Sequence, residues 1–508
     1  MNSKQSFYNL NFINSAINKL PIQTPTTTNP QTVRGYFYSK VEPKIRPNPK
    51  IIILSDPALN LLDLTKEEIL KDQNSFTQFF CGNLLNESQV PIAHCYCGHQ
   101  FGSWAGQLGD GRAISIGDIR NKKGQIIELQ LKGSGVTPYS RFADGNAVLR
   151  SSIREFLCSE FLYFLDIPTT RAASIVQTDD LAQRDIYYNG NVIQEKCCIV
   201  LRLAPTFIRF GSFQICDKGG PSEGLGDQMI PELTDYVIDL FYEGLKDKED
   251  KYRLFFEDIV KKTAILVAKW QTVAFCHGVL NTDNMSILGL TIDFGPFGFM
   301  EHFNKEHICN HSDQDGYYSY ENQPKACKWN LLRLAESLKY VLDFGESKKY
   351  IEENFDVILQ ENYYNIMREK LGIYSQNQED CKRIVDQLIE VMHELGLEYT
   401  NFFRKLSTVN ILNTDIEDIL NQFLLFKAPD NILMDRIKPR FTQEMLEKIS
   451  ELYESNPLDM QMRGFTIDII EREQQKIIKY NQYVENQKDI QNNIVIYYIN
   501  GQNLIRKY

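Results

Sequence analysis

Residues 277–295, HGVLNTDNMSILGLTIDFG, contain two short apolar runs set between two polar loops. The runs 287–288 and 290–292 are strand-like, and the Gly between them predicts a tight turn. Such a hairpin would bring Asn284, at one end, close to Asp293, at the other. An amide oxygen and a carboxylate placed in this way can share a Mg²⁺ ion. The sequence therefore predicts a metal site formed by these two side chains.

The first of these loops keeps part of the H-R-D-L-x-x-x-N pattern of protein kinases. His277, Leu280 and Asn284 stand at the positions of its His, Leu and Asn, whereas Val279 replaces the catalytic Asp. A carboxylate occurs one residue before the Asn, as Asp283. We expect His277 to be structural and Asp283 to be the general base, with a loop-capping role for Asp283 as the alternative. Compared with the kinase pattern, the sequence therefore predicts that the metal-binding residues are retained and that the general base lies at a different position.

A predicted strand and a predicted helix upstream carry a second kinase-like pair. Segment 125–131 alternates apolar and polar residues, which predicts a strand ending at Lys132. Segment 146–166 has the wide apolar stripe of an amphipathic helix, and it contains Glu155. Kinases orient nucleotide phosphates with a strand Lys paired to a helix Glu. A surface Lys and a solvated Glu are the alternative, but the hairpin downstream, in the right order, favours the pair.

Two glycine-containing loops are candidate phosphate contacts. Gly109 and Gly111 precede Arg112 in a G-D-G-R sequence that does not match G-x-G-x-x-G. A plain turn is the alternative, but a flexible loop with a guanidinium suits a phosphate. Asp144 and Gly145, directly before the predicted helix, are a weaker candidate of the same kind. We expect both loops to line a nucleotide site.

Arginines in the segment LRLAPTFIRFG are further candidates. Arg202 lies within an apolar predicted strand, 197–203, where an unpaired guanidinium is very costly. It therefore needs an anionic partner, either a structural carboxylate or a ligand. Arg202, Arg209 and Arg112 together with Lys132 would suit a triphosphate if they share one cleft.

Length and composition exclude several other classes of function. A chain of 508 residues that is 43% hydrophobic can bury a large core and form more than one lobe. A net charge of −11 argues against nucleic acid or an anionic membrane as the main partner. No apolar run reaches the roughly 18 residues of a transmembrane helix, so no membrane insertion is expected.

Cysteine content and the first residues bear on the compartment. Eleven Cys, with no apolar signal segment at the start, indicate a reducing intracellular compartment and thiols rather than disulfides. We expect a cytoplasmic or mitochondrial protein without a clear targeting sequence, and a monomer.

At this point the chain resembles the selenoprotein O family, protein adenylyltransferases with a pseudokinase fold. The resemblance extends from about residue 9 to beyond residue 404. It is carried by long motifs at 98–113 (GHQFGSWAGQLGDGRA), 131–141 (LKGSGVTPYSR), 144–157, 202–213, 277–299 and 309–324 (CNHSDQDGYYSYENQP). Members often end in a Cys- or selenocysteine-containing redox tail; no Cys follows Cys381 here, so the sequence gives no support for redox control through such a tail.

The resemblance implies transfer of AMP from ATP, bound inverted in a kinase-like cleft, to a protein hydroxyl of Ser, Thr or Tyr. Mg²⁺, with Mn²⁺ as an alternative, would be bound by Asn284 and Asp293, and Asp283 would deprotonate the hydroxyl. Glu155 would orient the phosphate-binding Lys132. The other implied nucleotide contacts are Gly109, Gly111, Arg112, Asp144, Gly145, Arg202 and Arg209, together with Asp293.

We therefore expect a two-lobed, kinase-like α+β fold with an N-terminal extended arm and a helical C-terminal extension. The expected divisions are 1–205 for the arm and nucleotide-binding lobe, 206–345 for the lobe with the catalytic and metal loops, and 346–508 for the extension. Two rival functions stay open: a protein kinase with a displaced base, and a non-catalytic nucleotide-binding scaffold. Labelling of protein by ATP that carries its label at the α- or at the γ-phosphate distinguishes AMP transfer from a protein kinase.

Overall fold

The computed structural model describes residues 10–186, 189–373, 377–410, 415–439, 441–457, 460 and 467–485. These described residues fall into two compact units, which lie within 1–298 and 308–363 and within 299–307 and 364–508. No described helix combines the length and apolar character needed to cross a bilayer.

The strands lie mainly in the first two hundred residues. They are β1 Ile22–Gln23, β2 Tyr38–Lys40, β3 Lys50–Leu54, β4 Ile92–His94, β5 Cys97–Gln100, β6 Ser103–Gln107, β7 Ala113–Arg120, β8 Ile126–Lys132, β9 Ala147–Val148, β10 Arg171–Asp185, β11 Val192–Ala204, β12 Phe275–Cys276 and β13 Gly298–Phe299.

Helices also occur among these strands, and they dominate the described residues after 205. They are α1 Ser15–Lys19, α2 Asp56–Leu59, α3 Lys66–Lys71, α4 Gln73–Phe80, α5 Leu149–Phe164, α6 Phe210–Phe213, α7 Gly226–Phe241, α8 Lys251–Gln271, α9 Gln323–Ser337, α10 Phe344–Lys370, α11 Gln378–Leu395, α12 Tyr399–Leu406, α13 Ile416–Leu424, α14 Asp430–Ile437, α15 Gln443–Ser455 and α16 Ile467–Glu485. The chain is thus mixed α+β, as the sequence predicts.

One large sheet builds the first part of the first unit. Within the described residues it has nine strands in the order β1-β2-β4-β7-β8-β11-β10-β3, with β9 paired to β11. The central strand β8 is antiparallel to both β7 and β11. Its apolar side chains Leu129 and Leu131 are fully buried, as are Ile199 and Leu201 of β11. The sheet therefore holds the end of β8 rigidly in place.

The predicted alternation of β8 is confirmed, but both faces of the strand are enclosed. Gln130 is fully buried and Lys132 is 9% exposed, so the polar face is not a solvent face. Buried polar side chains need partners. Gln130 has one in the carboxylate of Asp110, at 3.1 Å, and the polar face of β8 forms one wall of the site described below.

Helix α5 confirms the predicted helix, although its apolar stripe is wider than the face it buries. Phe156 packs against the sheet with Ala172 and Val200. By contrast Phe164 and Leu157, which the sequence places on the same stripe, are 69% and 58% exposed. The sheet surface beneath a single helix is narrow, and the buried face also has to present Glu155. Apolar content alone therefore overestimates the width of the buried face of this helix.

Two predictions around the first loop of the hairpin segment need correction. The largely apolar segment 258–276 predicts one helix, but helix α8 ends at Gln271 and the short strand β12 follows it. The runs 287–288 and 290–292 do not form paired strands: residues 287 and 288 are in a turn, and one isolated bridge joins Met285 to Thr291. The apolar character of these runs reflects burial of a tight turn, which periodicity does not separate from a strand.

The second unit has its own aromatic core among the described residues. Phe303, Tyr399 and Phe403 are buried, with ring centroids 5.4 Å apart for Phe303 and Tyr399 and 4.8 Å apart for Tyr399 and Phe403. Leu446, Ile470 and Ile477 form a separate cluster between α15 and α16. The candidate site lies entirely within the first unit.

Candidate active site

A single buried carboxylate joins two cations at the base of the cleft. Glu155 of α5 accepts a hydrogen bond from Lys132 Nζ at 2.7 Å through Oε2. Its other oxygen, Oε1, accepts from Nε of Arg202, which lies on β11 beside β8. Arg202 also donates to Oε1 of Gln130, at 3.2 Å. The strand Lys and helix Glu are thus paired, and the anionic partner that Arg202 requires is the same Glu155.

Burial and charge act in opposite directions on this network. Burial raises the pKa of Glu155, but the neighbouring charges of Arg202 and Lys132 lower it by more. The pKa of Glu155 is therefore below its usual range. Burial lowers the pKa of Lys132, and the nearby Arg202 lowers it too, against the opposing charge of Glu155. One carboxylate between two cations leaves one excess positive charge within this group of three side chains. Such a charge is suited to an anionic ligand.

Arg209 adds a third buried cation and links the sheet to the first loop. Its guanidinium donates to the carbonyl oxygen of Asp283 at 2.9 Å and lies 3.8 Å from a carboxylate oxygen of Asp110. It also stacks over the ring of Tyr96, with 4.3 Å to the ring centroid. These contacts fix the guanidinium in one orientation.

These side chains open into one cleft of about 750 Å³. It brings together eight of the residues that the sequence assigns to the nucleotide: Gly109, Gly111, Arg112, Lys132, Asp144, Arg202, Arg209 and Asp293. Gly145 is not part of the lining. Arg141 and Arg184, which the sequence reading did not select, line it as well, so the cleft is strongly cationic.

The glycines of the G-D-G-R loop allow a close approach between two loops. Gly109 has φ +137°, and a Cβ built on it would overlap the ring of Tyr139. A Cβ on Gly111 would lie 2.9 Å from the carbonyl oxygen of Tyr139. Ser140 Oγ donates to the carbonyl oxygen of Gly111, and Thr137 Oγ1 donates to that of Asp110 at 2.8 Å. The loop is therefore packed against its neighbour, and its Arg112 side chain is left exposed at the rim.

Asp144 and Gly145 play different parts at the other side of the rim. Arg184 of β10 donates two hydrogen bonds to the carboxylate of Asp144, at 2.8 and 3.0 Å. Burial raises the pKa of Asp144, but the hydrogen bonds from Arg184 lower it to about 2. Gly145 has φ +69°, and a Cβ there would overlap the backbone of Gly135. Gly145 acts through backbone packing, whereas Asp144 lies on the cleft wall.

The first loop forms a 3₁₀ turn, Thr282–Asn284, which holds Asp283 and Asn284. Asn284 Nδ2 donates to the carbonyl oxygen of Val279 at 2.9 Å, while its Oδ1 is buried with no hydrogen-bond partner. Burial raises the pKa of Asp283 to about 7, with Asp293 adding to the rise and Arg209 opposing it. A carboxyl group with this pKa can exchange a proton near neutral pH.

Asp293 reaches the cleft from a strained backbone position. Its φ of +59° lies in the left-handed region, which is uncommon for a residue with a side chain. The preceding carbonyl, of Ile292, contacts Nε2 of the buried His277 at 2.8 Å, so His277 holds this segment in place. Burial raises the pKa of Asp293, but the charges of Lys132, Arg202 and other cations lower it to about 2. Asp293 is therefore an anion among cations.

Besides Arg141, sequence reasoning missed three contributors to the site. Arg184 carries no local sequence signal, because it lies in a long strand and is brought to Asp144 by the tertiary fold. Tyr96 stacks on Arg209, and Gln100 donates to Oδ2 of Asp283 at 3.4 Å. Both lie in or next to the resembling motif that begins at residue 98, and that motif was the available signal.

A strand Lys paired to a helix Glu, beside a cationic cleft that Asp293 also lines, defines a kinase-like nucleotide-binding fold. A family model described as "Protein adenylyltransferase SelO" matches residues 23–500. The chain belongs to the SelO family.

Curated relatives agree with this family membership. Mitochondrial protein adenylyltransferase SelO of Mus musculus is 44% identical over 468 residues, covering 88% of this chain and 70% of the mouse protein. The corresponding Homo sapiens protein is 42% identical over 468 residues, with the same two shares. Protein nucleotidyltransferase YdiU of Methylobacillus flagellatus is 42% identical over 441 residues, covering 85% of this chain and 82% of the bacterial protein.

One solved structure with some likeness is ROP2 from Toxoplasma gondii, described as a virulence factor with a protein-kinase fold and no enzymatic activity. It covers 64% of this chain and 92% of its own, at 8% identity and a TM-score of 0.26. The fold assignment rests on the site geometry and the family, and not on this likeness.

Proposed function

We propose that this protein transfers AMP from ATP to the hydroxyl group of a Ser, Thr or Tyr side chain in a protein substrate. The hydroxyl oxygen attacks the α-phosphorus, the bond from that phosphorus to the bridging oxygen breaks, and pyrophosphate leaves. The hydroxyl proton goes to the enzyme. The observation that carries this proposal is the cluster of buried cations around Glu155 and Asp293, in a chain of the SelO family.

In the proposed binding mode the β- and γ-phosphates lie among Lys132, Arg202 and Arg209, with Arg112 at the rim. Three of these cations are buried and fixed by ion pairs or by stacking on Tyr96, so they need little rearrangement when charge develops on pyrophosphate. Glu155 keeps Lys132 in place, but its single negative charge does not neutralise both Lys132 and Arg202. Preorganised cations favour the leaving group more than mobile ones do.

Asp283 is the proposed general base. It is the carboxylate next to Asn284, and its pKa of about 7 suits proton transfer at neutral pH. The carbonyl oxygen of the same residue accepts from Arg209, which ties the base to the cation cluster. The hydroxyl proton would pass to the Asp283 carboxylate as the bond to the α-phosphorus forms.

Mg²⁺, or Mn²⁺, fits the residues of the two loops. Asn284 has a buried Oδ1 without a partner, and Asp293 is ionised at neutral pH. Both are hard oxygen donors of the kind that these ions prefer. Within the described residues no group of three or more His, Cys, Asp and Glu side chains is placed to hold a metal, so phosphate oxygens and water would complete the shell. The ion would neutralise charge on the phosphates of the nucleotide.

The rival functions predict different labelling. With ATP labelled at the α-phosphate, AMP transfer puts label on protein substrates and γ-labelled ATP does not. A protein kinase with a displaced base gives the reverse, and a non-catalytic scaffold gives neither. Protein label from γ-phosphate alone would contradict the proposal. Mass spectrometry of a cell extract incubated with the enzyme and ATP would identify the substrates and the modified residues.

We also propose a reducing compartment, cytoplasm or mitochondrion. The mouse and human relatives carry "mitochondrial" in their names, and in the described residues no disulfide joins any of the eleven Cys.

A further inference from the structure

Strand β5 lies directly against the carboxylate of Asp283. A Cβ built on Gly98 would overlap Oδ1 of Asp283. Two residues further along, Gln100 Nε2 donates to Oδ2 of the same carboxylate at 3.4 Å. Each oxygen therefore meets one residue of β5. We call Gly98 and Gln100 the β5 seat.

The backbone between the two seat residues is fixed to the same loop. His99 N donates to Oγ1 of Thr282 at 2.8 Å, and Thr282 Oγ1 donates to Oε1 of Gln214 at 2.5 Å. The side-chain amide of Gln214 in turn contacts Nδ1 of His99 at 3.0 Å. This closed ring of contacts sets the distance between β5 and the 3₁₀ turn. The pairing of β5 with β6 also shifts register between Cys97 and His99, which re-aims the strand at this point.

The two oxygens of Asp283 are left in unequal environments. Oδ1 is buried, has no hydrogen-bond partner and fills the space where a side chain at Gly98 would begin. Oδ2 has a donor in Gln100. A carboxylate oxygen has two lone-pair sites, so Oδ2 can keep this bond and accept a substrate hydroxyl as well. The seat thus selects Oδ2 as the oxygen that receives the proton.

We propose that Gln100 is a positioning residue for the transfer reaction, acting through Asp283, and that Gly98 supplies the space this position requires. The inference rests on the proposed function, because it assumes Asp283 as the base. Outer residues that orient a reacting group commonly change activity by about 10- to 100-fold when they are lost. Their effect falls on the chemical step and not on nucleotide binding.

The main test uses Gln100→Leu and a matched control, Gln107→Leu, on the partner strand β6. Among the described residues, the side chain of Gln107 bonds to the N-terminal segment, accepting from Val33 N and donating to the carbonyl oxygen of Gln31, each at 2.8 Å. We expect Gln100→Leu to lower kcat by about 10- to 100-fold with KM for ATP changed less than about twofold. Gln107→Leu should keep kcat within about twofold. Equal kcat values for the two variants would overturn the inference.

A double-mutant cycle separates positioning from a general structural effect. If Gln100 acts through Asp283, Gln100→Leu should cause no further loss in an Asp283→Asn background. The same fold loss in both backgrounds would show that Gln100 acts independently, and would overturn the inference. Thermal unfolding of each variant reports whether the fold is kept.

Gly98→Ala is a second probe, matched to Gly244→Ala. Neither Gly has a φ in the left-handed region, and the added Cβ meets Asp283 in the first case and open space in the second. We expect a loss of kcat for Gly98→Ala at least as large as that of Gln100→Leu, and none for Gly244→Ala. Unchanged kcat in Gly98→Ala would contradict the proposed role of the β5 seat.

Failure of the inference and failure of the proposed function give different results. Full activity of Asp283→Asn would remove the base assignment and the inference with it. An inactive Asp283→Asn together with a Gln100→Leu variant at wild-type kcat would overturn the inference alone. Absence of α-label transfer by the wild-type chain would overturn the proposed function itself.

Discussion

The base and the rim of the cleft hold their charges in different ways. At the base, Lys132 and Arg202 share Glu155, and all three side chains are at most 11% exposed. At the rim, Arg184 and Asp144 form a pair whose side chains are 29% and 41% exposed. A buried pair is fixed by the cost of leaving either charge alone, whereas an exposed pair is readily replaced by water. The base is therefore preorganised, and the rim can adapt to its ligand.

The largest effect is expected from the anion that faces the cations of the base. Asp293→Ala removes a proposed metal ligand and one of the negative charges near Lys132, Arg202 and Arg209. We expect AMP transfer to fall by roughly 1,000-fold, since both metal and electrostatic contributions are lost. Transfer of α-label to protein measures it. Full activity of Asp293→Ala would remove the metal assignment.

Loss of the shared carboxylate should affect activity and stability together. Glu155→Gln leaves two buried cations without a charged partner, which costs about 3–5 kcal/mol of the free energy of unfolding. Transfer should fall by roughly 100-fold because Lys132 is no longer held in place. Denaturant unfolding and α-label transfer measure the two effects.

The matched control is Glu195→Gln, which breaks a pair with Arg150 whose side chain is 52% exposed. Here the expected loss of unfolding free energy is at most about 1 kcal/mol, without loss of transfer. Similar losses for Glu155→Gln and Glu195→Gln would contradict the distinction between buried and exposed ion pairs.

The rim pair should influence binding only modestly. Arg184→Ala removes one exposed cation from the cleft wall, and an exposed pair is worth up to about 1 kcal/mol, or roughly fivefold in affinity. We expect KM for ATP to rise by up to this factor with kcat unchanged. Arg120→Ala, whose guanidinium donates to the carbonyl oxygen of Gly124 away from the cleft, is the control. A 100-fold fall in kcat for Arg184→Ala would show that Arg184 acts like the cations at the bottom of the cleft and not like an adaptable rim residue.

The smallest effect on stability is expected at the tip of the rim loop. Phe142 lines the cleft and is fully exposed, so it contributes no buried area to the folded chain. Phe142→Ala should change the free energy of unfolding by less than about 0.5 kcal/mol. Phe156→Ala, which empties a buried site under α5, should cost about 3–5 kcal/mol. A large loss of stability for Phe142→Ala would show that the rim is packed rather than adaptable.

Much of the base of the cleft could be predicted from the sequence, because its parts have local signals. A strand pattern ending at Lys132 and a helix pattern containing Glu155 each identify one partner, and their order agrees with a kinase-like site. The apolar strand around Arg202 indicated that it needs an anion, although the sequence did not say which one. The shared use of Glu155 by two cations depends on the pairing of β8 with β11.

The rest of the site depends on long-range contacts that leave no local pattern. Arg184 meets Asp144 across 40 residues, and Gln100 meets Asp283 across 183. The burial of segment 287–292 gave the appearance of strands where the structure has a turn. Gly145, predicted to line the nucleotide site, instead packs on the backbone of Gly135, which its sequence position beside Asp144 could not show.

The double pairing of Glu155 has a mechanical consequence. Both cations reach the same carboxylate, on a helix whose outer face carries the exposed side chains Leu157 and Phe164. A small rotation or withdrawal of α5 would release both together, since neither has a second acidic side chain in direct contact with it among the described residues. The position of both cations therefore depends on the position of one helix.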